Sequence, residues 1–101
     1  MISIYVLEGC PYCKSAMSLL DQYNISYKKY VVDSEEKKQI CKKQSGMSTF
    51  PQIYINASTK QSILVGGCDN LNEVIKYTKV IKSNNISIEA LQYFYKKLYS
   101  K

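Results

Sequence analysis

Ile2-Ser3-Ile4-Tyr5-Val6-Leu7-Glu8-Gly9-Cys10-Pro11-Tyr12-Cys13 is the stretch that decides the fold. An apolar, β-branched run leads through a Glu-Gly turn into two closely spaced cysteines. An amphipathic stretch from Ser15 to Tyr23 follows. Strand, CxxC, then helix is a redox-active arrangement. Pro11 has no N–H to lose and its φ suits the first helical position, so it starts the helix at once. Cys10 is left at the helix N-terminus, among unpaired backbone N–H groups that favour an anion. A thiolate is the nucleophile in disulfide exchange, and such surroundings lower a thiol pKa from roughly 8.5 into the range of about 3.5–7.5. Cys13, a helical turn further in, is near enough to close a disulfide with Cys10 but more buried and less acidic. The pair reads as an attacking and a resolving cysteine.

The bulk composition narrows the setting. A chain of 101 residues is the size of one domain. No apolar run approaches the roughly 18–20 residues of a membrane span. Met1-Ile2-Ser3-Ile4 lacks a basic region ahead of its apolar residues, so it reads as a first strand and not as a signal peptide. A reducing, cytoplasmic compartment is expected. The net charge is +6 and every basic residue is Lys. Arg, the better bidentate phosphate reader, is absent. Scattered lysines read as a solvated basic surface that favours anionic substrates, not as a nucleic-acid site. Of the four cysteines only Cys10 and Cys13 are neighbours; Cys41 and Cys68 stand alone. The two-CxxC zinc pattern is therefore missing. With no His in the chain a Cys/His zinc site is excluded too, and no metal is expected.

The rest of the chain is read in order. Residues 2–7 suit a central strand, apolar on both faces. Residues 11–23 form a helix with Ala16, Met17, Leu19, Leu20 and Tyr23 on its core stripe. Residues 27–33 form a second strand, parallel to the first because a helix joins them. Asp33 or Ser34 caps a helix that runs to about Gln44 and ends at Gly46, with Glu35 and Glu36 favourably placed in its first turn. Cys41 reads as a small packing residue. Residues 46–51 are a loop, 52–56 a strand, 56–60 a hairpin turn and 61–65 the returning strand. Gly66-Gly67-Cys68-Asp69-Asn70 reads as a turn and helix cap that offers backbone N–H groups and a carboxylate together. A third long helix covers residues 71–81. After a polar break, residues 84–100 form a basic amphipathic helix expected to pack on the domain. The whole chain, 1–101, is one domain with its core in 1–81. The order β-α-β-α-β-β-α specifies an α/β, thioredoxin-like fold: a four-stranded mixed sheet flanked by helices, with an extra C-terminal helix.

Three separated motifs then agree in order and placement: Cys10-Pro11-Tyr12-Cys13, Thr49-Phe50-Pro51 and Gly66-Gly67-Cys68-Asp69. On these, residues 1–80 resemble a glutaredoxin of the dithiol class. The resemblance implies a glutathione-dependent thiol–disulfide oxidoreductase that reduces protein disulfides and glutathione mixed disulfides. Cys10 is its nucleophile, Cys13 resolves protein disulfides, and glutathione is the co-substrate. Pro51 resembles the family's cis-proline, and a proline at the start of a strand loses no ladder bond. The backbone of Phe50 would pair with the cysteinyl part of glutathione like a short added strand. Asp69, with the backbone at Gly67 and Cys68, would hold the γ-glutamyl end. Tyr12 and Lys38 would reach the glycine end, and Thr49 lines the groove. The implied partners are glutathione and disulfide-containing or glutathionylated proteins. A monomer is expected, with neither nucleic acid nor membrane as partner.

The chain also departs from the family pattern. Leu7 stands where the family usually has Lys, and Glu8 follows it; both oppose a thiolate at Cys10. Phe50 stands where Val is common and enlarges the groove wall. Two alternatives compete. In one, two chains share a [2Fe–2S] cluster through Cys10 and two glutathiones; Pro11 argues against it by stiffening the turn beside the sulfur. In the other, thioredoxin reductase replaces glutathione as electron donor. Asp69 and Lys38 argue against that, because they would then have no small charged ligand to hold.

Overall fold

Ile2, Ile4 and Val6 alternate along the first strand, β1 (Ile2–Val6), and all are buried. The computed structural model describes residues 2–55 and 62–79, with side chains to residue 76. The elements that follow are α1 (Pro11–Gln22), β2 (Tyr27–Val31), α2 (Glu35–Ser45), β3 (Gln52–Ile55), β4 (Ile63–Gly66) and α3 (Cys68–Lys79). The sheet order is β2-β1-β3-β4. β1 runs parallel to β2, with Ile2 opposite Tyr27 and Val6 opposite Val31. It is antiparallel to β3, and β3 is antiparallel to β4. This is the mixed four-stranded sheet that the sequence order specifies. The hairpin turn expected at 56–60 and the helix expected at 84–100 lie outside the described residues.

The helix boundaries follow from local chemistry. Asn24 adopts positive φ after the last turn of α1, and the Ile25 N–H donates to the Leu20 carbonyl at 2.9 Å. Of the two candidate caps for α2, Ser34 takes the role: its Oγ accepts the Lys37 N–H at 3.2 Å. Glu35 and Glu36 occupy the first turn and Lys42 and Lys43 the last, each favoured by the helix dipole there. Gly46 closes the helix in the left-handed conformation, and its N–H donates to the Lys42 carbonyl at 2.8 Å.

Each face of the sheet has its own cover. On one, Ile2, Ile4 and Val6 pack in a single cluster with Ala16 and Leu20 of α1, Ile53 and Ile55 of β3, and Leu71, Val74 and Ile75 of α3. Tyr5 belongs to the opposite face by the two-residue period of a strand. Its ring stacks on Tyr30 at 4.9 Å and meets Tyr54 edge-on at 5.9 Å. Cys41 of α2 is buried on this side, and burial pushes its thiol up. The packing role expected for Cys41 is the one it has. β1, a central strand, therefore ends in a loop that presents Cys10 just beyond its C-terminal end.

Candidate active site

Cys10 takes the N-cap position of α1, with extended backbone at φ −80° and ψ 114°, and Pro11 opens the helix. A cap side chain ordinarily accepts an N–H from the first turn through an oxygen. Here the acceptor is sulfur: the Cys13 N–H donates to Cys10 Sγ at 3.3 Å. On its other side the Cys10 thiol donates to the Phe50 carbonyl at 3.8 Å, a contact available only to the protonated form. Cys10 is half-buried, whereas Cys13 is 1% exposed. Burial, with the hydrogen bond to Cys10 second, pushes the Cys13 thiol up to about 12. Both sulfurs are free thiols. The two cysteines thus differ in burial and position: Cys10 caps α1 and is half-buried, and Cys13 is buried with its thiol pushed up.

The loop at 46–51 brings the second motif to the first. The Phe50–Pro51 peptide bond is cis, and Pro51 is fully buried. Gln52, 0% exposed, holds this loop in place: its Nε2 donates to the carbonyls of Met47 and Thr49, both at 3.1 Å. Ser45 Oγ adds a further tie by accepting the Met47 N–H at 2.9 Å. Sequence reasoning passed over Gln52, because nothing in a strand-starting glutamine says that its amide will turn back on the preceding loop.

The third motif forms the opposite wall. Gly66 has φ +120°, and a Cβ there would fall 2.5 Å from Asn70 Oδ1. Gly67 accepts the Leu71 N–H on its carbonyl, at 3.1 Å, and donates its own N–H to Asn70 Oδ1 at 3.1 Å. It therefore caps α3, with Asn70 reaching back as the third residue of the helix does in a capping box. Gly67 and Asn70 have the spacing of that box but not its usual residues, Ser or Thr and Glu or Gln. The Gly67 N–H is thus already engaged, while Cys68 and Asp69 occupy the first turn of α3. Burial, then the neighbouring Asp69 carboxylate, pushes the Cys68 thiol up.

These walls enclose a groove of about 280 Å³. Tyr12, 66% exposed, stands at its rim. Thr49, Phe50 and Pro51 line one side, and Gly67, Cys68 and Asp69 line the other. Met47 and Asn70, not singled out from the sequence, complete the lining. Cys10 and Cys13 are not among the lining residues; Cys10 stands behind the wall, in contact with the Phe50 carbonyl. Lys38 is placed elsewhere, in a separate depression with Leu7, Glu8 and Ser34. It is absent from the lining of the groove beside Phe50 and Cys68, so the structure does not bring it into the same groove.

A thioredoxin-like sheet with a cysteine-capped first helix, a cis-proline loop and a glycine turn around one groove defines a class of thiol–disulfide proteins. The glutaredoxin family model matches residues 2–58. Glutaredoxin 1 of Rickettsia prowazekii is 42% identical over 84 residues, covering 80% of this chain and 83% of that protein. The solution structure of glutaredoxin from Brucella melitensis superposes with a TM-score of 0.64 at 32% identity, covering 80% of this chain and 84% of that one. A buckwheat glutaredoxin–glutathione complex shares the fold at 22% identity, with a TM-score of 0.65 and coverage of 80% and 73%. The chain belongs to the glutaredoxin family. Membership brings a glutathione-linked thiol oxidoreductase activity in general terms. No helix among the described residues is long and apolar enough to cross a membrane.

Proposed function

We propose that the protein reduces glutathione mixed disulfides and protein disulfides through a Cys10 thiolate, with glutathione as the electron donor. The observation that carries this is the asymmetry of the pair: the Cys13 N–H caps Cys10 Sγ at 3.3 Å while Cys13 itself is buried. Cys10 attacks the glutathionyl sulfur of a mixed disulfide. The substrate leaves as a thiolate that takes up a proton, and Cys10 becomes glutathionylated. A second glutathione thiolate attacks that sulfur, releases oxidised glutathione and restores Cys10. With a protein disulfide, Cys10 instead forms a mixed disulfide with one protein sulfur. Cys13 gives up its proton, attacks Cys10 and releases the reduced protein. The resulting Cys10–Cys13 disulfide is reduced by two glutathiones.

The groove suits the tripeptide. Phe50 offers backbone for strand-like pairing with the cysteinyl residue. Asp69 answers the γ-glutamyl ammonium, and the first turn of α3, with Cys68, answers the adjoining carboxylate. Gly67 contributes room more than a donor, since its N–H is held by Asn70. Tyr12 and Thr49 border the glycine end. Lys38, in its separate depression, adds to the positive charge of the surface without lining the groove. Cys10→Ser, Cys13→Ser and wild type are compared by NADPH consumption, coupled through glutathione reductase. On a small glutathionyl disulfide, wild type and Cys13→Ser turn over and Cys10→Ser does not. On a protein disulfide only wild type turns over. Turnover by Cys10→Ser would overturn the assignment.

A further inference from the structure

Four large hydrophobic side chains are exposed among the described residues: Tyr12, Tyr30, Val31 and Ile40. Tyr12 belongs to the cysteine groove. The other three line a single groove of about 410 Å³ between β2 and α2, which shares no lining residue with the first. By strand alternation Tyr30 lies on the Tyr5 face of the sheet and Lys29 and Val31 on the other. All three nonetheless line the same groove. Tyr5 of β1 and Cys41 and Gln44 of α2 line it too, so the groove starts on the Tyr5 face beneath α2 and opens over the outer rim of β2. That rim is a sheet edge: among the described residues β2 pairs with β1 alone. Its outward N–H and C=O groups are a template for another strand.

We propose that this edge docks an extended, acidic segment of a protein partner as an added strand. The charges choose the occupant. Lys29 and Lys37 line the groove and no carboxylate does. Lys28 lies over the Tyr30 ring, 5.4 Å from its centroid; Lys37 is offset by its ion pair with Asp33 at 2.8 Å, so Lys28 and Lys29 carry the charge that selects the occupant. Lysines on an edge strand also discourage pairing with another copy of the same chain. A second copy carries +6, and residues 80–101 carry four Lys against one Glu, so both are repelled where an acidic segment is attracted. Cys41 at the groove is 7% exposed with its thiol pushed up by burial, so the site binds without reacting. Val32 lines both this groove and the depression holding Leu7, Glu8 and Lys38. A chain laid along β2 is thereby led toward the loop that carries Cys10.

The proposal does not rest on the glutathione reading, and its test involves no thiol chemistry. The full chain, labelled with nitrogen-15, is titrated with a short peptide of alternating glutamate and valine. The expected result is amide shifts at residues 28–32 and 40 that fade with added salt. A peptide of alternating lysine and valine leaves those amides unmoved. The double variant Lys29→Glu, Ile40→Asp weakens the apparent affinity about tenfold or more, a loss of ~1.4 kcal/mol. It keeps wild-type circular dichroism. Four results would overturn the proposal: no shift at 28–32; an equal response to the basic peptide; concentration-dependent shifts there without peptide, which would mark a second copy; or contacts from residues 80–101 to Tyr30 or Ile40 in the free protein, which would mark the chain's own tail.

Discussion

The residue with the least freedom near the site is Gly66. Its φ of +120° is open to glycine and strained for any L side chain, and an added methyl would collide with Asn70. Gly66→Ala is expected to destabilise the fold by about 1–3 kcal/mol and to loosen the Asn70 cap on Gly67. Thermal unfolding, with amide exchange at Gly67, checks both. Cys13 gives a pH prediction. Its thiol is raised from the ordinary value to about 12, so the folded state holds a proton that the unfolded chain releases. The resulting stability is fully present below about pH 9, the range of a free thiol, and is lost as pH rises through about 12. Cys41, Cys68, Tyr5 and Tyr54 are shifted in the same direction by burial, so they share the alkaline loss. Cys13→Ala should therefore show a shallower fall in denaturation midpoint between about pH 9 and 12 than wild type, not a flat one. An unchanged slope would mean that Cys13 is less buried than described.

At the scale of elements, most boundaries were legible because local chemistry sets them. Pro11 starts α1, Gly46 ends α2, and the apolar runs at 2–6 and 52–55 become the two central strands. β2 ends at Val31 instead of Asp33, because Val32 makes its last bond, to the Val6 carbonyl, and the chain then turns into the α2 cap. α3 begins at Cys68 and not at Leu71, because Gly67 caps it and Asn70 closes the cap from inside the helix. The strand expected over 61–65 is observed as Ile63–Gly66, with a register shift opposite Ile53 and Tyr54. What the sequence could not reveal depends on contacts between elements. The Gln52 amide ties down the cis-proline loop, and Lys38 lines a separate depression with Leu7 and Glu8. Neither follows from spacing along one segment. Ser34 tests the local part: Ser34→Ala should cost about 1 kcal/mol with no change in turnover, since its hydroxyl caps α2 outside the cysteine groove. Urea denaturation alongside the coupled assay separates the two effects.

For the molecule as a whole, the excess of lysine is the property with a kinetic consequence. A net charge of +6 raises the local concentration of anionic substrates, and mobile ions screen that attraction. The rate constant kcat/KM for a glutathionyl disulfide should fall several-fold between low salt and ~0.5 M, while kcat stays nearly constant. A salt-independent kcat/KM would mean that the basic surface plays no part in capture. The fold also divides its labour between two margins. The cysteine groove lies between the cis-proline loop and α3, and the basic apolar edge lies along β2. If the first is the reactive site and the second the docking edge proposed above, small and protein substrates should respond differently to changes at each.

The central claim is that Cys10 alone carries the glutathionyl group. The measurement that tests it most directly is intact-mass analysis of Cys13→Ser after oxidised glutathione, followed by peptide mapping. The account predicts a single glutathionyl group, on Cys10, that reduced glutathione removes. Addition at Cys68 or Cys41 in place of Cys10, or a variant that turns over with Cys10 never modified, would contradict it.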